Sequence, residues 1–177
     1  MQYPSRGQHH GKFGVGPLIR RDVVHPVQPG AAAPELLHKM LANFDARLPA
    51  DYRTRVAARG LTLYQAVSAA SLIEREAAVE PERPLIASVI FNRLAAGQAL
   101  EIDATVQYAV GTPANWWPKL SGLDFRAVAS PYNTYYVTGL PAGPIANPGL
   151  SSLLAVAEPA ETNYIYYRAL WPPSNGR

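Results

Sequence analysis

Glu74 sits where a carboxylate needs a reason. On a helical wheel at about 100° per residue, Leu63, Val67 and Ala70 cluster within about 40° of one another, with Ala66 and Ala77 at the margin. Glu74 falls in the middle of that stripe, about 20° from Leu63, whereas Glu76 points about 200° away from Glu74. Glutamate is among the residues least often fully buried. A carboxyl among apolar groups has its charged form disfavoured, so its pKa rises, and a protonated carboxyl is what a general acid requires. The other reading is a structural Glu, hydrogen-bonded to backbone or paired with an arginine such as Arg93.

A helix Glu beside Tyr, Asn and Trp is the material of a carbohydrate site, because aromatic faces stack on sugar rings while amides and hydroxyls read sugar substituents. Tyr132–Asn133–Thr134–Tyr135 supplies such groups, or else forms an aromatic strand that packs the core. Trp116 and Trp117 are adjacent, so on extended chain they point opposite ways, one packing and the other facing solvent or ligand. Asp103 is either a second carboxylate of the site or the N-cap of the helix after it.

Other chemistries are excluded by absence. With no Cys there is no thiol nucleophile, disulfide or cysteine-bound metal. The four His are His9, His10, His25 and His38, so the rest of the chain can form neither a Ser-His-Asp triad nor a His-ligated metal site, and no cofactor is expected. No GxxxxGK[ST], GxGxxG, HExxH or GxSxG pattern occurs.

The elements that must position these groups are mostly helices. Residues 1–34 read as an irregular segment rich in Pro, Gly, His and Arg. Leu36, Leu37, Met40, Leu41, Phe44 and Leu48 predict a helix over 35–48 with one buried face, ended by Pro49. Thr62 and Gln65 form a capping box, so the helix carrying Glu74 starts at Leu63 and runs to about 79, before Pro81. Pro84 suits the first turn of a helix over 84–96, ended by Gly97. A short helix over 103–108 is closed by Gly111, and Asn147–Pro148–Gly149 turns into a last helix over 149–157. Strands are expected at Tyr132–Thr138 and Tyr164–Arg168. Helices followed by short strands predict an α+β fold: a helical lobe with Glu74 on its central helix, plus a small Tyr-rich β region, in a single domain.

At 177 residues the chain is long enough for a real core, and 48% hydrophobic content argues against wholesale disorder. The formal charge of +3 is uneven: residues 1–60 hold nine Lys/Arg against four Asp/Glu, and residues 61–177 hold seven against nine. The basicity reads as a solvated tail rather than a nucleic-acid patch, and no nucleic-acid partner is expected. No run of 18 apolar residues exists, and the first 25 lack the apolar stretch of a signal peptide.

Several segments together resemble the YceG-like endolytic murein transglycosylases. These are Ala69–Ala70–Ser71–Leu72–Ile73–Glu74–Arg75–Glu76–Ala77, Ile86–Ala87–Ser88–Val89–Ile90–Phe91–Asn92–Arg93–Leu94 and Asp103–Ala104–Thr105–Val106–Gln107–Tyr108. Tyr132–Asn133–Thr134–Tyr135, Gly139–Leu140–Pro141, Ile145–Ala146–Asn147–Pro148–Gly149 and Tyr164–Ile165–Tyr166–Tyr167 continue the match in order. The resemblance implies a lytic transglycosylase that cleaves between N-acetylmuramic acid and N-acetylglucosamine in nascent peptidoglycan, leaving 1,6-anhydro-muramyl ends. It maps the catalytic acid, later base, onto Glu74. It also implies a cleft lined by Tyr132, Asn133 and Thr134, with Asn133 holding N-acetyl or ring substituents and Gln107 and Glu76 in support, and no metal. The sugar's own hydroxyl is then the nucleophile, so no second carboxylate is needed to activate water.

The implied partners are glycan strands and peptidoglycan synthases, and the implied location is the extracytoplasmic face of the bacterial inner membrane. Family members carry a membrane anchor and a LysM-like domain that this sequence does not show. The stretch near Gly16–Pro29 is unlike the family's acidic, aromatic one, and the sequence stops at Leu170–Trp171–Pro172 where the family continues. The reading is therefore an N-terminal segment over 1–34 without the resemblance, a catalytic domain over 35–170 shortened at its C-terminal end, and a tail over 171–177. The alternative is a peptidoglycan-binding or scaffold domain without turnover.

Overall fold

A computed structural model of the chain describes residues 32–168; the expectations for 1–31 and for the 171–177 tail lie outside the described residues. The chain divides into two compact units, Met1–Ala46 and Arg47–Arg177. Helix α1, Ala33–Arg47, makes up nearly all of the described part of the first. The helix forms where its periodicity predicts, with Glu35 and Lys39 paired at 2.8 Å one turn apart. Its expected buried face is corrected: no residue of α1 is buried, and Leu36, Leu37, Met40 and Leu41 are all exposed.

The second unit is built around α3, Leu63–Glu76. Its start is the predicted capping box: the Gln65 amide donates to Thr62 Oγ1 at 3.2 Å while the Thr62 amide donates to Gln65 Oε1 at 2.9 Å. Residues Ser68–Ile73 are buried without interruption, because α3 packs against α2 (Tyr52–Ala58), α4 (Arg83–Ala95), α5 (Asp103–Val110) and α6 (Leu150–Ala157). A helical stretch buried all round keeps its polar groups satisfied internally. Ser71 Oγ donates to the Ser68 carbonyl at 2.7 Å and accepts from the Ile145 amide at 3.0 Å. Helix α3 ends at Glu76, three residues earlier than expected, where Ala77 turns to extended backbone. Helix α2, for which the sequence gives no clear period, buries Tyr52 and Val56.

Among the described residues the fold is helical and holds no strand, so the β part of the α+β expectation is corrected. Over 132–138 the backbone turns instead. Asn133 Oδ1 accepts from the Tyr135 amide at 2.9 Å, and the Asn133 carbonyl accepts from the amides of Tyr136 and Val137. An asparagine that bonds its own neighbouring backbone competes with any ladder, and here it overrides the β preference of the tyrosines. Residues 164–168 join no sheet, and side chains of α4 hold the backbone around 162–164. Asn92 Nδ2 donates to the carbonyls of Thr162 and Tyr164, both at 2.8 Å, and Ser88 Oγ bonds Thr162 Oγ1 at 2.8 Å.

Candidate active site

Consecutive residues in a helix diverge by about 100°, so the last turn of α3 sends Glu74, Arg75 and Glu76 to three different neighbours. Glu74 reaches the start of α6. Its Oε2 accepts from the Gly149 amide at 3.0 Å and from Ser152 Oγ at 2.6 Å, and Oε1 lies 3.8 Å from Arg83 Nη2. Arg83 Nε also donates to Ser152 Oγ at 3.0 Å, which closes a small network. Gly149 is the N-cap of α6 and has no side chain to cap with, so Glu74 satisfies an orphan amide from outside and places its charge at the helix's positive end.

The expectation of an apolar setting that keeps Glu74 protonated is therefore corrected. The side chain is 30% exposed. Desolvation raises its pKa, but the Ser152 hydroxyl, the Gly149 amide and the Arg83 guanidinium together outweigh it and hold the carboxyl below its ordinary value. Of the two sequence readings, the hydrogen-bonded structural one describes its contacts, with Arg83 in place of Arg93.

Glu76 lies half-buried on the other side, in a cavity of about 310 Å³ that it lines with Arg93, Glu101, Asp103, Tyr135 and Tyr167. Tyr167 Oη donates to Glu76 Oε2 at 2.9 Å, and Tyr135 Oη donates to Asp103 Oδ1 at 2.5 Å. Burial pushes the Glu76 pKa up and the nearby Asp103 charge pushes the same way, while the Tyr167 hydrogen bond and Arg75 oppose; the net direction is upward. Burial, followed by the neighbouring carboxylates, raises the phenol pKa values of Tyr135 and Tyr167, so both hydroxyls stay proton donors. Asp103 is the first residue of α5 rather than its N-cap, a place held by Ile102, and this frees its side chain for Tyr135.

The cavity wall is strained and braced. Glu101 has φ 54°, a left-handed conformation that costs a non-glycine residue about 1–2 kcal/mol. Its amide donates to the Thr134 carbonyl at 3.1 Å, and its carboxylate accepts from Arg93 Nη2 at 2.8 Å and Arg126 Nη2 at 2.5 Å. Desolvation of Glu101 is outweighed by these two guanidinium groups, which hold its pKa below the ordinary value.

The other sequence candidates divide. Asn133 and Thr134 are 0% exposed, with their side chains turned to backbone partners rather than to solvent. Asn133 Nδ2 donates to the carbonyls of Phe125 and Val128 at 2.7 and 2.8 Å. Thr134 Oγ1 accepts from the Ile102 amide at 3.0 Å and bonds Thr105 Oγ1 at 3.0 Å. Both are polar because they satisfy buried backbone, a reason that a sequence pattern does not distinguish from ligand contact. Tyr132 is half-buried with its ring 4.8 Å from that of Tyr108, and Gln107 Nε2 donates to the Pro118 carbonyl at 3.1 Å. Neither of these lines the Glu76 cavity. Tyr167, Arg93 and Glu101 were not named as site residues, and Tyr135 was named only within the 132–135 segment. The two tyrosines lay in quoted motifs, whereas nothing local announces the left-handed Glu101. No group of three or more His, Asp or Glu able to hold a metal ion occurs among the described residues.

Comparison with known proteins places these features in context. The model of the YceG-like family matches residues 24–175. The chain is 35% identical over 171 residues to the endolytic murein transglycosylase of Bacillus subtilis (strain 168), covering 90% of this chain and 45% of that protein. It is 30% identical over 135 residues to the endolytic murein transglycosylase of Streptococcus pneumoniae (strain D39), covering 76% and 24% respectively. A crystal structure of a yceG-like protein from Listeria monocytogenes superposes with a TM-score of 0.70 at 36% identity, over 79% of this chain and 44% of that one. The chain thus spans less than half the length of the curated relatives it matches.

Proposed function

This chain belongs to the YceG-like family, and from that premise we propose that it cleaves nascent peptidoglycan strands as a lytic transglycosylase, with Glu76 as acid and then base. One observation carries the choice of residue: Glu76 is the α3 carboxyl whose surroundings push its pKa up inside a cavity, whereas Glu74 is held ionised at the start of α6. A general acid works best with a pKa near the working pH, and burial beside a like charge is how a carboxyl gets there.

In this mechanism protonated Glu76 gives its proton to the oxygen between N-acetylmuramic acid and N-acetylglucosamine as that bond breaks. Positive charge develops at the muramyl C1 in an oxocarbenium-like transition state. The carboxylate left on Glu76 then takes the proton of the C6 hydroxyl as its oxygen bonds to C1. The products are a 1,6-anhydro-muramyl end and a free N-acetylglucosamine hydroxyl, with the proton returned to Glu76. Tyr167 fixes the carboxyl through Oε2 and leaves Oε1 for the substrate. Burial, with the nearby Asp103 charge behind it, favours the protonated form of Glu76 before the reaction, and that charge favours the positive charge that develops during it. Glu74 and Ser152 hold α6 against α3. The proposal includes action at the extracytoplasmic face of the membrane, on strands made by peptidoglycan synthases. Among the described residues no helix is long and apolar enough to cross a membrane.

The test is incubation with un-crosslinked glycan strands and mass analysis of the ends. Anhydro-muramyl products are expected, with turnover lost by about 10²–10⁴-fold in Glu76→Gln and largely kept in Glu74→Gln. Loss in Glu74→Gln with retention in Glu76→Gln would return the acid role to Glu74. Ends heavier by one water would replace the lyase mechanism with hydrolysis, and binding without turnover would favour a scaffold.

A further inference from the structure

The loop after α5 carries two tryptophans that the proposed mechanism leaves unused. Trp116 is 63% exposed and Trp117 is 36% exposed. Large aromatic rings in solvent are a cost unless something covers them in use. The loop that presents them is fixed rather than loose. The amides of Thr112 and Asn115 each donate to the other's carbonyl at 3.0 and 2.9 Å, and Gln107 Nε2 ties the Pro118 carbonyl back to α5. Gly111 lets the loop close: a Cβ there would lie 2.7 Å from the Trp116 carbonyl oxygen.

Trp117 is also held by two neighbours. The Arg75 guanidinium stands 3.8 Å from its ring centroid, a close cation–π contact, and the Tyr108 ring lies 6.5 Å away, tilted by 47°. Tyr108 in turn contacts Tyr132. The result is a row from Arg75 through Trp117 and Tyr108 to Tyr132. Its Arg75 end is the α3 residue between Glu74 and Glu76. Tyr108 sits five residues along α5 from Asp103, about 7.5 Å of helix, so one short helix carries both a member of this row and a wall residue of the Glu76 cavity.

We propose that Trp117, oriented by Arg75 and Tyr108, is a stacking subsite for a pyranose ring of the glycan strand, next to the cleavage cavity. The occupant is a sugar rather than an apolar peptide because the platform is mixed. An indole face gives contact area to the C–H side of a pyranose, and the N–H groups of Arg75, stacked on the same indole, are donors for sugar hydroxyls. The substrate class rests on the transglycosylase reading; the subsite itself rests on the ring geometry. A preorganised ring contributes to holding the strand and not to the chemical step, so its loss is read in binding.

The experiment uses un-crosslinked glycan strands as the probe. By calorimetry in a Glu76→Gln background, Trp117→Ala is expected to weaken strand binding about tenfold, while Trp117→Phe keeps most of it and Trp116→Phe changes little. In the active protein Trp117→Ala raises KM by a similar factor with kcat within about twofold. The Phe variant, checked for an unchanged melting curve, separates loss of the platform from loss of fold. Unchanged affinity in Trp117→Ala, or no strand binding by the parent protein, overturns the subsite. Binding that depends on Trp117 in a parent protein that makes no anhydro ends would leave the subsite standing and overturn the reaction instead.

Discussion

The Tyr167 hydroxyl donates to Glu76 Oε2 at 2.9 Å across 91 residues of chain. The tyrosine gets there because Asn92 and Ser88 of α4 hold the 162–164 stretch just before it. A hydrogen bond to the ionised form lowers the pKa of its acceptor, so Tyr167 partly offsets the upward push of burial and Asp103. Removing the hydroxyl in Tyr167→Phe should move the Glu76 pKa further up. If Glu76 is the acid, the alkaline limb of the kcat/KM profile moves to higher pH in this variant. An unmoved limb with reduced activity would mean that Tyr167 acts only by packing.

Glu76 also has a sign that stability measurements can read. Its folded pKa lies above the unfolded one, so between the two the folded chain holds more protons and stability falls as pH rises through that window. Below the ordinary carboxylate range the penalty is absent. Glu76→Gln removes it, so the variant should gain on the parent in urea midpoint from pH 4 to pH 7.5. The same difference at both pH values would contradict the raised pKa. Stability gained by neutralising a site residue is the usual exchange between stability and activity.

Glu74 should behave in the opposite way. Its folded pKa lies below the unfolded one, so it contributes stability above the ordinary carboxylate range, which is lost as pH falls through the folded value. Glu74→Ala leaves the Gly149 amide without its acceptor and the Ser152 hydroxyl without its own, at a cost of about 1–3 kcal/mol near pH 7. Urea denaturation of parent and variant checks this, and the gap between them should narrow in acid.

Asn133→Ala separates a fold role from a substrate role. The side chain makes three hydrogen bonds to backbone from a fully buried position, and leaving those groups unpaired should cost about 3 kcal/mol or more. The variant should melt earlier while the folded fraction keeps the parent KM. A raised KM at unchanged stability would restore the substrate contact expected from sequence.

By itself the sequence determined helices α3 to α6 and their punctuation. Hydrophobic period, the Thr62–Gln65 box, Gly111 after α5 and Gly149 before α6 are local signals, and local backbone physics reads them. It also determined that chemistry had to come from carboxylates, hydroxyls and aromatics, and that Glu74 and Glu76 face opposite ways. Only the tertiary structure decided what each one faces. A helical wheel gives the angle of a side chain but not the neighbour that meets it: Glu74 meets the amide end of α6, and Glu76 meets Asp103, Tyr135 and Tyr167 in a cavity. The same limit explains the lost strands and the inward turn of Asn133 and Thr134. Whether a polar group binds a ligand or a buried peptide depends on partners far away in sequence, which no local period encodes.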